Sequence, residues 1–130
     1  MWGPLPVYIK IKRNSVEVTN LETGESVKRN ALHSFSTERI LIGNFGNAED
    51  TMRAALDDLL PPKKLFGIYW RHSYKILIQQ LEGMEGGLSE LEIRALRDLA
   101  EQSGGRIVYV LENDIPLTTD AAASYLKTLK

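Results

Sequence analysis

Hydrophobic and polar positions alternate near the start of the chain. Val7, Ile9 and Ile11 are interleaved with Tyr8, Lys10 and Lys12, a period of two that predicts a half-buried strand. Asn14 and Ser15 mark a tight turn, since both residues favour local side-chain to backbone bonds. Val16 and Val18 then alternate with Glu17 and Thr19, predicting a strand that returns antiparallel. Glu22-Thr23-Gly24-Glu25 supplies the next turn. Ser26 to Phe35 reads as extended through Val27 and again near Leu32, and Ile40-Leu41-Ile42 is β-prone up to Gly43. The first 45 residues thus predict an antiparallel meander of three or more strands.

The period changes after Asn47. Met52, Ala55, Leu56, Leu59 and Leu60 share one helical face, and Arg53, Asp57 and Asp58 point away. Asn47 is the expected N-cap, with Glu49 and Asp50 in the first turn and Pro61-Pro62 as the stop. Tyr74 to Leu81 is a near-continuous apolar run, the pattern of a central strand covered on both faces. A flexible connection through Gly83, Gly86 and Gly87 leads to Ser89, where Glu92 completes a capping box. Leu88, Leu91, Ala95, Leu96, Leu99 and Ala100 line one face of that helix, and Gly104-Gly105 ends it. Arg106 to Leu111 predicts another buried strand, and Asp120 to Leu129 a last short helix.

The order βββαβαβα predicts an α/β fold. It is a five-stranded mixed sheet with helices on both faces and right-handed crossovers. Residues 1–6 read as a loose tail carrying Trp2 and Leu5, and residues 7–130 as one domain. The same order is found in the ribonuclease H-like group and in the subdomains of actin-like ATPases, and this is the architecture expected here.

Composition narrows the chemistry. Lys plus Arg number 16 and Asp plus Glu 17, so a strongly basic nucleic-acid binder and an acidic disordered tail are both excluded. There is no cysteine, which removes disulfides, thiol catalysis and cysteine-bound zinc. His33 and His72 lack metal-ligand spacing, and no metal site or cofactor is expected. No apolar run approaches the length of a membrane span, and the expected location is the cytoplasm.

The segment from Ser89 to Glu112, SELEIRALRDLAEQSGGRIVYVLE, carries a family pattern. Glu92, Arg94, Ala95, Leu96, Arg97, Asp98, Ala100, Gly104, Arg106, Val108, Tyr109 and Glu112 agree in order and without gaps with bacterial actin-like proteins of the MreB family, which the segment resembles. The preceding YKILIQQLEG and the later DAAASYL are similar to the flanking strand and the alanine-rich helix of that family. The resemblance implies the first large subdomain of an actin-like protein, one half of a clamp that closes on nucleotide. It places the first phosphate loop in the turn after Ile9. There the family aspartate becomes Lys10, its glycine Lys12 and its threonine Arg13. Lysine cannot coordinate magnesium, and a side chain in place of glycine obstructs backbone approach to phosphate. Glu112 matches the glutamate that orients the attacking water in the family, yet without a bound γ-phosphate such a group has nothing to act on. The chain is therefore expected not to be an enzyme.

Other constellations fall short of chemistry. A ribonuclease H-type nuclease needs converging carboxylates, and neither VYIKIKR nor YKILIQQ holds an acid. No G-x-S-x-G elbow is present, and the Gly83 to Gly87 stretch lacks the lysine of a phosphate-binding loop. One segment stands out as a surface. Lys63, Lys64, Arg71 and Lys75 interleave with Tyr69 and Trp70, basic beside aromatic. Residues 1–75 carry a net charge of +3 and residues 76–130 a net charge of −4. The expected function is a non-enzymatic interaction module that binds a protein partner or its own copies. The alternatives are a residual phosphate or nucleotide binder using Lys10, Lys12 and Arg13, or a single-stranded nucleic-acid binder using the Lys63 to Lys75 segment.

Overall fold

The structure is a computed structural model that describes residues 3–36, 41–83 and 87–129. Its elements in order are β1 (Leu5–Lys12), β2 (Ser15–Asn20), β3 (Ser26–Asn30), α1 (Phe45–Leu59), β4 (Lys63–Leu65), β5 (Ile68–Trp70), β6 (Tyr74–Gln80), α2 (Glu90–Gln102), β7 (Gly105–Leu111) and α3 (Thr119–Thr128). Five strands form one mixed sheet in the order β3-β2-β1-β6-β7, and β4 and β5 form a separate ribbon. The β1–β2 and β2–β3 pairs are antiparallel, whereas β6 runs parallel to both β1 and β7.

The two sheet faces follow from strand alternation. Val7, Ile9, Ile11, Val16, Val18, Ile76 and Ile78 pack on one face against Met52, Ala55 and Leu56 of α1 and Leu96, Leu99 and Ala100 of α2. Tyr8, Leu21, Leu77 and Leu111 face the other way, against Ala122 and Leu126 of α3. The interior strand β6 is covered on both faces, as its apolar run predicts. β1 departs from the expected half-burial. Tyr8 is as buried as its neighbours because α3 covers the second face. β1 also begins at Leu5, so Leu5 and Pro6 are strand and not tail, with the Leu5 amide donating to the Ser73 carbonyl at 2.9 Å. Met1 and Trp2 lie outside the described residues.

The helix ends show which local signals won. The Asn44 side chain, not that of Asn47, accepts the capping bond, from the Asn47 amide at 3.0 Å. An earlier start lets Phe45 pack on the core, and Asn47 instead donates its side-chain amide to the Ser34 carbonyl at 2.9 Å. Glu49 and Asp50 consequently fall beyond the first turn. The Ser89–Glu92 capping box of α2 is complete, with bonds of 3.1 and 3.0 Å. Leu91, expected on the buried face of that helix, is 77% exposed. Gly105 is required by space, since a Cβ there would lie 2.8 Å from the Ala100 carbonyl oxygen. This close approach lets α2 fold back directly onto β7.

Three further expectations change. Leu41 and Ile42 form a bend rather than a strand, Ile40 lies outside the described residues, and Leu32 is exposed. β7 is an edge strand paired with β6 alone, so it is only partly buried. The Gly83 connection is described, but residues 84–86 are not. No helix among the described residues is long and apolar enough to cross a membrane.

One buried polar node ties the sheet to the segment after β7. The Tyr8 hydroxyl donates to Gln79 Oε1 and accepts from the Leu117 amide at 3.1 Å. Gln79 Nε2 donates to the Asn113 and Ile115 carbonyls at 2.9 and 3.0 Å. A Gln79→Leu substitution strands these groups, at about 1–3 kcal/mol for each one left buried and unpaired. The urea midpoint should fall clearly with an unchanged m-value, and a midpoint equal to wild type would show that the node contributes nothing.

Tyr74 supplies a pH signature. Its phenol is pushed up to about 12, first by burial and then by the nearby Asp57 carboxylate. Below pH 10 the phenol is protonated in both folded and unfolded chains and has no effect on stability. Between 10 and about 12 the unfolded chain releases the proton while the folded chain holds it, so stability falls as pH rises. Tyr74→Phe should flatten this alkaline slope in melting curves relative to wild type.

Candidate functional site

The β1–β2 turn is where an approaching phosphate would need free amides. The chain uses those amides itself. The Arg13 amide donates to Glu82 Oε1 at 2.7 Å, and the Asn14 amide donates to Ser36 Oγ at 3.0 Å. Asn14 adopts a left-handed backbone (φ 52°), which asparagine tolerates, and its Oδ1 accepts from the Phe35 and Ser36 amides at 2.9 and 2.8 Å. Lys10 is committed as well. Its Nζ lies 2.9 Å from Glu17 Oε1 and 5.2 Å from the centre of the Tyr8 ring. Lys10, Lys12, Ser15, Glu17 and Lys28 do line one hollow on the α3 side of the sheet. Cross-strand register places Glu17 between Lys10 and Lys28, so one carboxylate offsets part of the positive charge of the row.

Glu112 is exposed just past β7. The next residue, Asn113, is held through its carbonyl and side chain by Gln79 Nε2. Register sets Gln79 between Lys10 on β1 and Leu111 on β7, so Glu112 lies at the same end of the sheet as the Lys10–Arg13 turn, separated from it by β6. Among the described residues, no group of three or more His, Asp or Glu side chains is placed to hold a metal ion.

The basic and aromatic segment folds into something the hydrophobic pattern does not announce. It forms the β4–β5 ribbon, with rungs Lys63–Trp70, Lys64–Tyr69 and Leu65–Ile68 closed by Phe66-Gly67. Phe66 and Gly67 both have positive φ, 53° and 78°, the primed turn that matches strand twist in a two-residue hairpin. Leu65, Phe66, Ile68 and Trp70 are 56, 93, 57 and 58% exposed. Arg71 holds the ribbon base, with Nη2 3.2 Å from Asp57 Oδ2 on α1. Lys63, Lys64, Leu65 and Trp70 line an open hollow on the ribbon. Lys75 does not belong to this surface, because its Nζ donates to the Leu126 carbonyl on α3 at 3.1 Å.

Phe66 is the informative residue. A bulky aromatic in a left-handed position costs about 1–2 kcal/mol, and asparagine or glycine would fill the position better. Nearly full exposure gives nothing back through packing. The side chain is thus unexplained by stability. Three-residue strands are too short to show a period of two, so only the Phe66-Gly67 turn between apolar neighbours signals the hairpin in the sequence.

No family model matches the chain. It is 34% identical over 93 residues to the protein named "Uncharacterized protein YjaA" of Escherichia coli (strain K12), an alignment that covers 72% of each chain. The chain belongs to the YjaA family. This YjaA-family chain pairs a β1–β2 turn whose Arg13 and Asn14 amides are bonded internally with an exposed apolar ribbon at the opposite end of β6.

Phe66→Asn should raise the melting temperature, by about 1 kcal/mol of added stability, because it relieves the left-handed strain and loses no packing. A lower melting temperature would mean that Phe66 packs within the domain after all.

Proposed function

We propose that this chain is a non-enzymatic interaction module whose contact surface is the β4–β5 ribbon. One observation carries the reading. Four large apolar side chains, Leu65, Phe66, Ile68 and Trp70, stand more than half exposed on one short hairpin, and one of them sits in a strained backbone position. Contiguous exposed apolar surface of this kind marks a docking site. The partner that fits is a protein with an apolar groove for the tip and carboxylates at the rim for Lys63 and Lys64.

We also propose that the chain is built like one subdomain of an actin-like protein. The strand order β3-β2-β1-β6-β7, with β2 antiparallel to its neighbours, and the capped helix α2 running into β7 agree with one subdomain of an MreB-like protein. In this reading the module works in the cytoplasm, binds no cofactor and turns over no nucleotide. The closed β1–β2 turn supports that, and it counts against a residual phosphate binder.

The order of the rungs favours a second reading. The tip, Phe66-Gly67, and the first rung, Leu65–Ile68, carry no charge, and the lysines enter only at the Tyr69 and Trp70 rungs. An apolar tip below an aromatic and basic collar also suits the interface of an anionic bilayer. Sedimentation with anionic vesicles, with neutral vesicles and with single-stranded RNA separates these readings from protein docking. A Phe66→Ser, Trp70→Ser variant should keep the wild-type melting temperature and lose the partner in affinity capture. Unchanged capture by the variant would overturn the ribbon as the contact. Binding of wild type to anionic vesicles alone would move the assignment to the lipid surface.

A further inference from the structure

The two edges of the sheet are not alike. β3, at one edge, reads SVKRN and presents Lys28 and Arg29 to solvent. Charged side chains on an edge strand deter pairing with another chain. β7, at the other edge, reads GRIVYVL, with one charge, no proline and no lysine. It is seven residues long and pairs only with β6. Ile107 is 40% exposed, and Tyr109 and Val110 are half-buried. Along the outer side, the Val108 carbonyl accepts from Arg97 Nη1 at 3.3 Å, a long bond at the limit of useful geometry. α2 covers the Val108 face of this strand, while α3 packs over β1 and leaves the Ile107 side open.

We infer that the β7 edge pairs with the β7 edge of a second copy of this chain, antiparallel and about a two-fold axis at Val108. The occupant follows from self-complementarity. In that register Ile107 of one copy lies opposite Tyr109 of the other, twice, a β-branched and aromatic pair that stabilises antiparallel sheets. Arg106 lies opposite Val110, so the two arginines stand four residues apart, about 13 Å at the usual strand rise, and do not repel closely. The same operation on β3 sets Lys28 against Lys28, and a β3–β7 contact sets Lys28 and Arg29 against apolar residues. Only β7 against β7 avoids both. The product is a continuous sheet of two fused domains, with both ribbons left free for the partner of the proposed function. The inference does not depend on that function.

The full chain tests this by sedimentation equilibrium and by cross-linking. Wild type and the Phe66→Ser, Trp70→Ser variant should both dimerise, whereas Ile107→Lys should be monomeric and folded, with a melting temperature that no longer rises with protein concentration. Because the chain has no cysteine, a mixture of Ile107→Cys and Tyr109→Cys chains should form a disulfide-linked heterodimer on mild oxidation. A wild type that is monomeric at all concentrations overturns the inference. So does a dimer that survives Ile107→Lys, or one that is lost with the ribbon residues.

Discussion

The position of β1 at the centre of the sheet constrains everything else. It pairs antiparallel with β2 on one side and parallel with β6 on the other, and both of its faces are covered. A strand in that place cannot leave polar groups unsatisfied. The polar positions of β1 that are covered, Tyr8 and Lys10, therefore recruit partners from elsewhere in the chain. Tyr8 takes Gln79 and Leu117, Lys10 takes Glu17, and the amides just beyond the strand take Glu82 and Ser36. The carboxyl end of β1, which in an open α/β sheet is the natural place for a ligand, is closed by the protein's own side chains.

That closure sets the division of labour in the molecule. The carboxyl ends of β1 and β6 are occupied by internal bonds, and the opposite end of the sheet carries the ribbon. The ribbon hangs between α1 and β6 and is tethered at its base by Arg71 and Asp57. It contributes little to the core, because its large side chains point into solvent. Under the proposed function, stability and contact are built from different residues, which is why substitutions in the ribbon should separate the two cleanly.

The sheet was legible wherever apolar spacing was long enough to show a period. β1, β2, β6, α2 and α3 follow their patterns, and the Ser89–Glu92 pair marks its helix start to the residue. The misses have physical causes. Burial of Tyr8 depends on α3, which is more than a hundred positions away in sequence. Asn44 and Asn47 both suit a cap, and only the packing of Phe45 decides between them. The β4–β5 ribbon is too short for periodicity, so the segment reads as a basic and aromatic surface without showing that it is a hairpin. At the candidate site, the basic residues Lys10, Lys12 and Arg13 could be read directly. The carboxylate that satisfies their turn, Glu82, could not, because the contact spans 69 positions.

We propose that the β1–β2 turn, whose Arg13 and Asn14 amides are already bonded within the chain, takes no phosphate. Thermal melting of the pure chain with and without saturating magnesium and ATP tests it most directly, since any ligand bound by the native state raises the melting temperature by mass action. The account predicts identical curves. A rise of several degrees, removed by reversing the charge at Lys12 and Arg13, would contradict it.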